Sequence, residues 1–312
     1  MRAIMVEREA VMSDCNFRKE PEKILASFIR YNAIFLPDDV KARLEEMAEG
    51  AEGGERERYN AIFDNIRLAE AKKRPLCQDT GIPQFYIKVG TGFERPGIIK
   101  PAIADAVRLA TKETPLRPNC VDVFSGKNSG DNTGEGVPFI SWELTEGDRL
   151  EIIIYLAGGG SSMPGFSKVL LPSAGLRGVE KEVLGMVCEK GINACPPLII
   201  GVGIANAADA AAELSKKALL RKIGSENSRG EAAAFEKELF EKVNSLGIGP
   251  GGLGGRESVL GVSVESAVHH PATLALGVTF GCWATRRGRL IIDNGGSVTC
   301  DTHSGFRGDF TW

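Results

Sequence analysis

The chain has 312 residues, with 38 Lys and Arg against 41 Asp and Glu and a formal charge of −3. That near balance leaves no electrostatic footprint for nucleic acid or an anionic membrane surface, and no run reaches the roughly 18 apolar residues of a membrane span. Acidic residues in the opening stretch interrupt the apolar core that a signal peptide needs, and the seven cysteines are an odd number scattered along the chain, so the reading is a cytoplasmic protein without a disulfide framework.

In chain order, residues 21–35 place Ile24, Leu25, Phe28 and Ile29 on one helical face. Residues 38–47 repeat the pattern with Val40, Leu44 and Met47, and residues 56–73 do so with Ile62, Phe63 and Ile66. A strand is expected at 84–89 and a helix at 97–112, then strand-like segments at 120–125 and 137–144 around the polar turn Lys127 to Gly134. A β-branched strand at 149–156 runs into Gly158-Gly159-Gly160, and the spacing of residues 166–171 reads as helical. Helices are expected at 176–190, 207–220 and 231–246, and strands at 198–204, 258–265 and 273–280, the last two joined through His269-His270-Pro271. The fold class is therefore mixed α/β (α+β), a helical N-terminal region followed by a mixed sheet with flanking helices. One domain is expected over 1–312, with 1–19 and 293–312 as flexible tails.

The chemistry concentrates in a few places. Arg74-Pro75-Leu76-Cys77-Gln78-Asp79-Thr80-Gly81 packs a thiol, an amide, a carboxylate and a hydroxyl into consecutive residues on a loop between a helix and a strand. Arg117, beside Pro118, is a candidate fork for a carboxylate. The order strand, glycine run, helix at Gly158 to Gly160 can make a nest of N–H groups for an anion, but it matches neither nucleotide-phosphate fingerprint. Gly201-Val202-Gly203 opens like a dinucleotide fingerprint and lacks its third glycine, which leaves a nucleotide-binding oxidoreductase as a rival reading. Cys77, Cys195 and Cys282 each sit where a loop meets a regular element. Three thiolates from distant parts of a chain suit a cluster with one open coordination position better than structural zinc, which wants four ligands.

Five motifs in this order resemble one family over roughly residues 20–290: Cys77 to Gly81, Lys127 to Thr133, Cys195-Pro196-Pro197 followed by Gly201-Val202-Gly203, Leu246 to Gly255, and His269-His270 with Cys282-Trp283-Ala284. The chain resembles the alpha part of the class I (iron–sulfur) fumarate hydratases and L-tartrate dehydratases. The resemblance implies that Cys77, Cys195 and Cys282 hold a 4Fe-4S cluster, and that Asp79 is a general acid with His270 as its partner. It implies substrate contacts from Gln78, Arg117 and Gly158, Gly159 and Gly160. It further implies reversible hydration of a C4 dicarboxylate, malate and fumarate or alternatively L-tartrate, with a beta subunit in an alpha2beta2 assembly. A non-catalytic iron–sulfur scaffold subunit is the reading from another class. The chain departs from the family pattern after the triple glycine, where Ser161-Ser162-Met163-Pro164-Gly165 stands.

Overall fold

The computed structural model describes residues 11–12, 15–114 and 116–309. Its contacts divide the chain into two compact units, one of residues 1–38, 66–157 and 286–312, the other of 39–65 and 158–285. Both are built from helices and mixed sheets, as the mixed α/β reading expects.

In the first unit, helix α1 (Pro21–Ile34) starts with Pro at its first position, where a missing N–H costs nothing. The chain then passes into the second unit, which holds α2 (Asp38–Glu49) after its first residue and α3 (Gly53–Lys72) as far as residue 65. Strand β2 (Ile82–Gly90), helix α4 (Ile99–Glu113), β3 (Phe139–Thr145) and β4 (Leu150–Ala157) follow in the first unit. The chain returns to this unit for β9 (Arg287–Ile292) and β10 (Val298–Cys300), and β1 (Val11–Met12) pairs with β10. The six strands run in the order β1-β10-β9-β4-β2-β3, antiparallel except for the parallel pair β2 and β3. Alternate residues of β2 (Phe85, Ile87, Val89) and β4 (Leu150, Ile152, Ile154) face one core, which α1 closes with Leu25, Phe28 and Ile29 and α4 with Ile99, Ile103 and Val107.

The C-terminal segment differs from expectation. Residues 293–309 are not a loose tail: Val298 and Phe306 are buried in the first core, and the Gly296 carbonyl accepts the Phe17 N–H at 2.9 Å. Phe17 itself is fully buried, so residues 15–19 are anchored too. Burial of these apolar side chains outweighs the polar, glycine-rich composition that suggested disorder. The flexible-tail expectation for 1–10, 13–14 and 310–312 lies outside the described residues.

The second unit holds the one-turn helix α5 (Gly159–Ser162), β5 (Phe166–Leu170), α6 (Gly175–Lys190), β6 (Leu198–Ala205), α7 (Ala208–Leu219), α8 (Gly230–Ser245), β7 (Val259–Ser266) and β8 (Leu274–Gly281). Its sheet has the order β5-β8-β6-β7, with β6 and β7 parallel and the rest antiparallel. Ile200, Val202 and Ile204 of β6 pack with Val179, Val183 and Val187 of α6 and Phe235, Leu239 and Val243 of α8. On the opposite face, Gly201 and Gly203 let α7 lie directly on the strand: an added Cβ would overlap the Ser215 and Ala211 carbonyl oxygens. The pair of glycines that resembled a dinucleotide fingerprint thus serves helix packing on the sheet.

Two local expectations are corrected. Residues 166–170, within the stretch 166–171 expected to be helical, form the edge strand β5, because the stretch is bounded by Gly165 and Pro172 and pairs with β8. Residues 120–125 form no strand beyond one bridge, Val121 with Asn128, and turn at 123–125, where Asp122 accepts the Ser125 N–H at 2.7 Å and its hydroxyl at 2.6 Å. An Asp side chain that caps its own backbone competes with strand pairing.

Candidate active site

The loop between α3 and β2 is pinned at its base by the Leu76 N–H, which donates to the Ala33 carbonyl at 2.9 Å. Beyond that anchor, Cys77 is half-buried, Gln78 is exposed and Asp79 is half-buried. The Asp79 Oδ1 accepts the Gly81 N–H at 3.0 Å and the Asn119 Nδ2 at 3.2 Å. Two donors on one oxygen hold the carboxyl group in a single orientation. Thr80, 3% exposed, accepts the Arg117 N–H on its Oγ1 at 2.9 Å. The Arg117 Nη1 in turn reaches the Gln78 Oε1 at 3.5 Å. The structure therefore brings Gln78, Asp79 and Arg117 together in the first unit.

Three residues that complete this arrangement escaped the sequence reading. Asn119 bridges Asp79 to the Gly81 carbonyl. Asn132, fully buried with a left-handed φ of 60°, accepts the Asn119 N–H at 2.7 Å and donates to the Arg117 carbonyl and the Thr111 Oγ1, both at 3.1 Å. The polar turn Lys127 to Gly134 is thus partly a structural brace, and an Asn in such a turn, able to adopt a left-handed backbone, was the available signal. The third is Arg286, whose Nη1 donates to the Asp79 carbonyl.

In the second unit, Cys195 is exposed and has a left-handed backbone, φ 54°, an uncommon state for a residue with a Cβ. Cys282, half-buried, directly follows β8, and the Trp283 N–H donates to the Cys195 carbonyl at 3.5 Å, so these two cysteine segments are joined. Gly158, Gly159 and Gly160 begin α5, which packs on the turn Gly191–Ala194 immediately before Cys195. An added Cβ at Gly160 would stand 3.0 Å from the Asn193 carbonyl oxygen. His269 and His270 are exposed in the connection from β7 to β8, where the His270 Nδ1 accepts the Ala272 N–H at 3.1 Å. No disulfide joins any of the seven cysteines, and among the described residues no three His, Cys, Asp or Glu side chains converge as a metal site.

Comparison with known proteins decides the family. The model of the family described as Fumarate hydratase (Fumerase) matches residues 22–291. The chain belongs to that family. It is similar to the L(+)-tartrate dehydratase subunit alpha of Escherichia coli (strain K12), 44% identical over 288 residues that cover 90% of this chain and 95% of the relative. The corresponding subunit from Escherichia coli O157:H7 is equally similar, at 44% over 288 residues. A putative L(+)-tartrate dehydratase subunit alpha from Methanocaldococcus jannaschii is 43% identical over 270 residues, 85% of this chain and 94% of that one. As a member of the Fumerase family the chain is a hydro-lyase. Among the described residues no helix is long and apolar enough to cross a membrane.

Proposed function

We propose that this chain is the alpha subunit of a cytoplasmic, two-subunit hydro-lyase that removes water from a C4 dicarboxylate. L(+)-tartrate is the favoured substrate, with malate and fumarate as the second reading. The observation that carries the proposal is the Gln78, Asp79 and Arg117 constellation in a chain that spans 94–95% of relatives named tartrate dehydratase alpha subunits. A beta subunit, in an alpha2beta2 assembly, is proposed to supply the remaining substrate contacts and the group that abstracts the carbon-bound proton.

Cys77, Cys195 and Cys282 are proposed to hold a 4Fe-4S cluster. Soft thiolates are the donor set such clusters take, three of them leave one iron open, and no disulfide consumes any of the three. When bound, the cluster would supply Lewis-acid chemistry toward the substrate hydroxyl, a poor leaving group on its own. The chain's own residues would bind one substrate carboxylate and protonate the leaving group. Arg117, with its backbone tied to Thr80, offers a planar fork to a substrate carboxylate, and Gln78 lies alongside it. Asp79, oriented through Oδ1, holds a proton at Oδ2 for the departing hydroxyl, with His270 as its proton partner. Gly158 to Gly160 present backbone close to the substrate.

Anaerobic reconstitution with iron and sulfide, with and without a beta subunit, tests this reading. The expected outcome is a broad visible absorption with about four irons per chain, and dehydration of L(+)-tartrate only when the beta subunit is present. Absence of iron loading, or turnover by the alpha chain alone, would overturn it. The single catalytic domain expected over 1–312 is proposed on the same footing, and one calorimetric transition is its test.

A further inference from the structure

Arg286 is 3% exposed, and a guanidinium taken out of water carries a desolvation cost that its surroundings must offset. Its Nη1 donates to the Asp79 carbonyl, and its Nε has no hydrogen-bond partner. Its own carbonyl accepts the Leu156 N–H at 2.9 Å, which places Arg286 against the end of β4. The Asp79 loop presses on the same strand end: Gly81 has φ +78°, and a Cβ there would stand 2.7 Å from the Leu156 carbonyl carbon. Main chain and side chain of Asp79 are therefore held separately, the carbonyl by Arg286 and the carboxyl by Gly81 and Asn119.

We propose that Arg286 is a positioning residue, which clamps the Asp79 carbonyl so that the carboxyl group stays aimed at the departing hydroxyl. This rests on the reading of Asp79 as the general acid. A guanidinium suits the task because its planar, rigid fork fixes direction as well as distance, whereas a lysine ammonium holds distance alone. Arg286 also stands four residues after Cys282, so one short segment carries both a proposed cluster ligand and the clamp on the acid. An exposed arginine at the surface would show neither the burial nor the single main-chain target.

The test uses Arg286→Gln and Arg286→Lys in the reconstituted enzyme with its beta subunit. For Arg286→Gln, kcat on L(+)-tartrate is expected to fall about 10- to 100-fold, with KM within about twofold and iron content unchanged. Arg286→Lys is expected to recover part of the loss, and also serves if the Gln variant does not fold. Combined with Asp79→Asn, Arg286→Gln is expected to add no further loss, since residues acting through one group are not additive. Amide hydrogen exchange supplies a readout independent of turnover: the amides of residues 78–81 are expected to exchange about tenfold faster in Arg286→Gln, while those of β4 do not change. Unaltered exchange at 78–81, or losses that add to those of Asp79→Asn, would overturn the proposal. A wild-type enzyme that fails to dehydrate L(+)-tartrate would refute the substrate reading instead, and exchange at 78–81 would still decide the role of Arg286.

Discussion

The Thr80 hydroxyl oxygen accepts the main-chain N–H of Arg117 at 2.9 Å, and this bond couples the Asp79 loop to the residue proposed to bind substrate. A valine in place of Thr80 keeps the shape and removes the acceptor, at a cost of about 1–3 kcal/mol for a polar group left without its partner. Thr80→Val is expected to raise KM for L(+)-tartrate about five- to tenfold, with a smaller change in kcat. Steady-state kinetics together with a thermal unfolding curve check this. An unchanged KM would show that Arg117 is positioned without Thr80.

The proposed cluster ligands can be separated from the other cysteines by iron loading. Cys77→Ser, Cys195→Ser and Cys282→Ser are each expected to abolish it, whereas Cys15→Ser and Cys300→Ser retain it. Cys300 is buried, and that burial pushes its thiol pKa up and keeps it protonated and unreactive. Iron and sulfide analysis after anaerobic reconstitution gives the answer directly. Chelation of the loaded protein is expected to bleach the visible band and remove activity together.

Gly201 and Gly203 carry the contact between α7 and β6, and their substitution should be felt in stability. A Cβ at either position meets helix backbone, which cannot rotate away as a side-chain tip would. Gly201→Ala is expected to destabilise by about 3 kcal/mol, at the upper end of overpacking effects. Urea unfolding is the measurement. A dinucleotide added to the wild type is expected to leave the midpoint where it was, and a shift would revive the oxidoreductase reading.

Lys216, on α7, gives a pH dependence of defined sign. Burial pushes its pKa down from 10.5 to about 8. Below about pH 8 both the folded and unfolded states carry the charge, and the folded state bears the full burial penalty. Between about 8 and 10.5 the unfolded chain holds a proton that the folded chain has released, so this contribution to stability rises with pH across that window. Lys216→Met is expected to be more stable than wild type near neutral pH, and the difference should shrink by about pH 10. Paired urea midpoints at the two pH values check it.

Much of this architecture could be read from residue patterns. The first two helices and the strands around Phe85 and Ile152 repeat at their own periods with buried faces, and the strand around Val202 is a short apolar run buried throughout, so local pattern and tertiary burial agree. The misreadings fall where tertiary contacts decide. The stretch 293–309 looks polar and glycine-rich, yet the buried Val298 and Phe306 and a three-residue strand fix it in the first core. Phe166–Leu170 is short enough that its pairing with β8 outweighs its own spacing. At the site, Cys77, Gln78, Asp79 and Arg117 stood out by chemical type, whereas Asn119, Asn132 and Arg286 did not. Their roles come from hydrogen bonds between residues 13 to more than 200 positions apart, separations at which one sequence carries no pairing information.

The sheet of the first unit has a consequence for synthesis of the chain. Strand β4 pairs on one side with β2, made shortly before it, and on the other with β9, whose residues begin 130 positions after β4 ends. During translation β4 is therefore an open edge for as long as the entire second segment of the other unit is being made. Exposed strand edges invite pairing with other chains. A nascent chain paused before residue 287 would carry that edge bare, open to pairing with other chains until β9 docks.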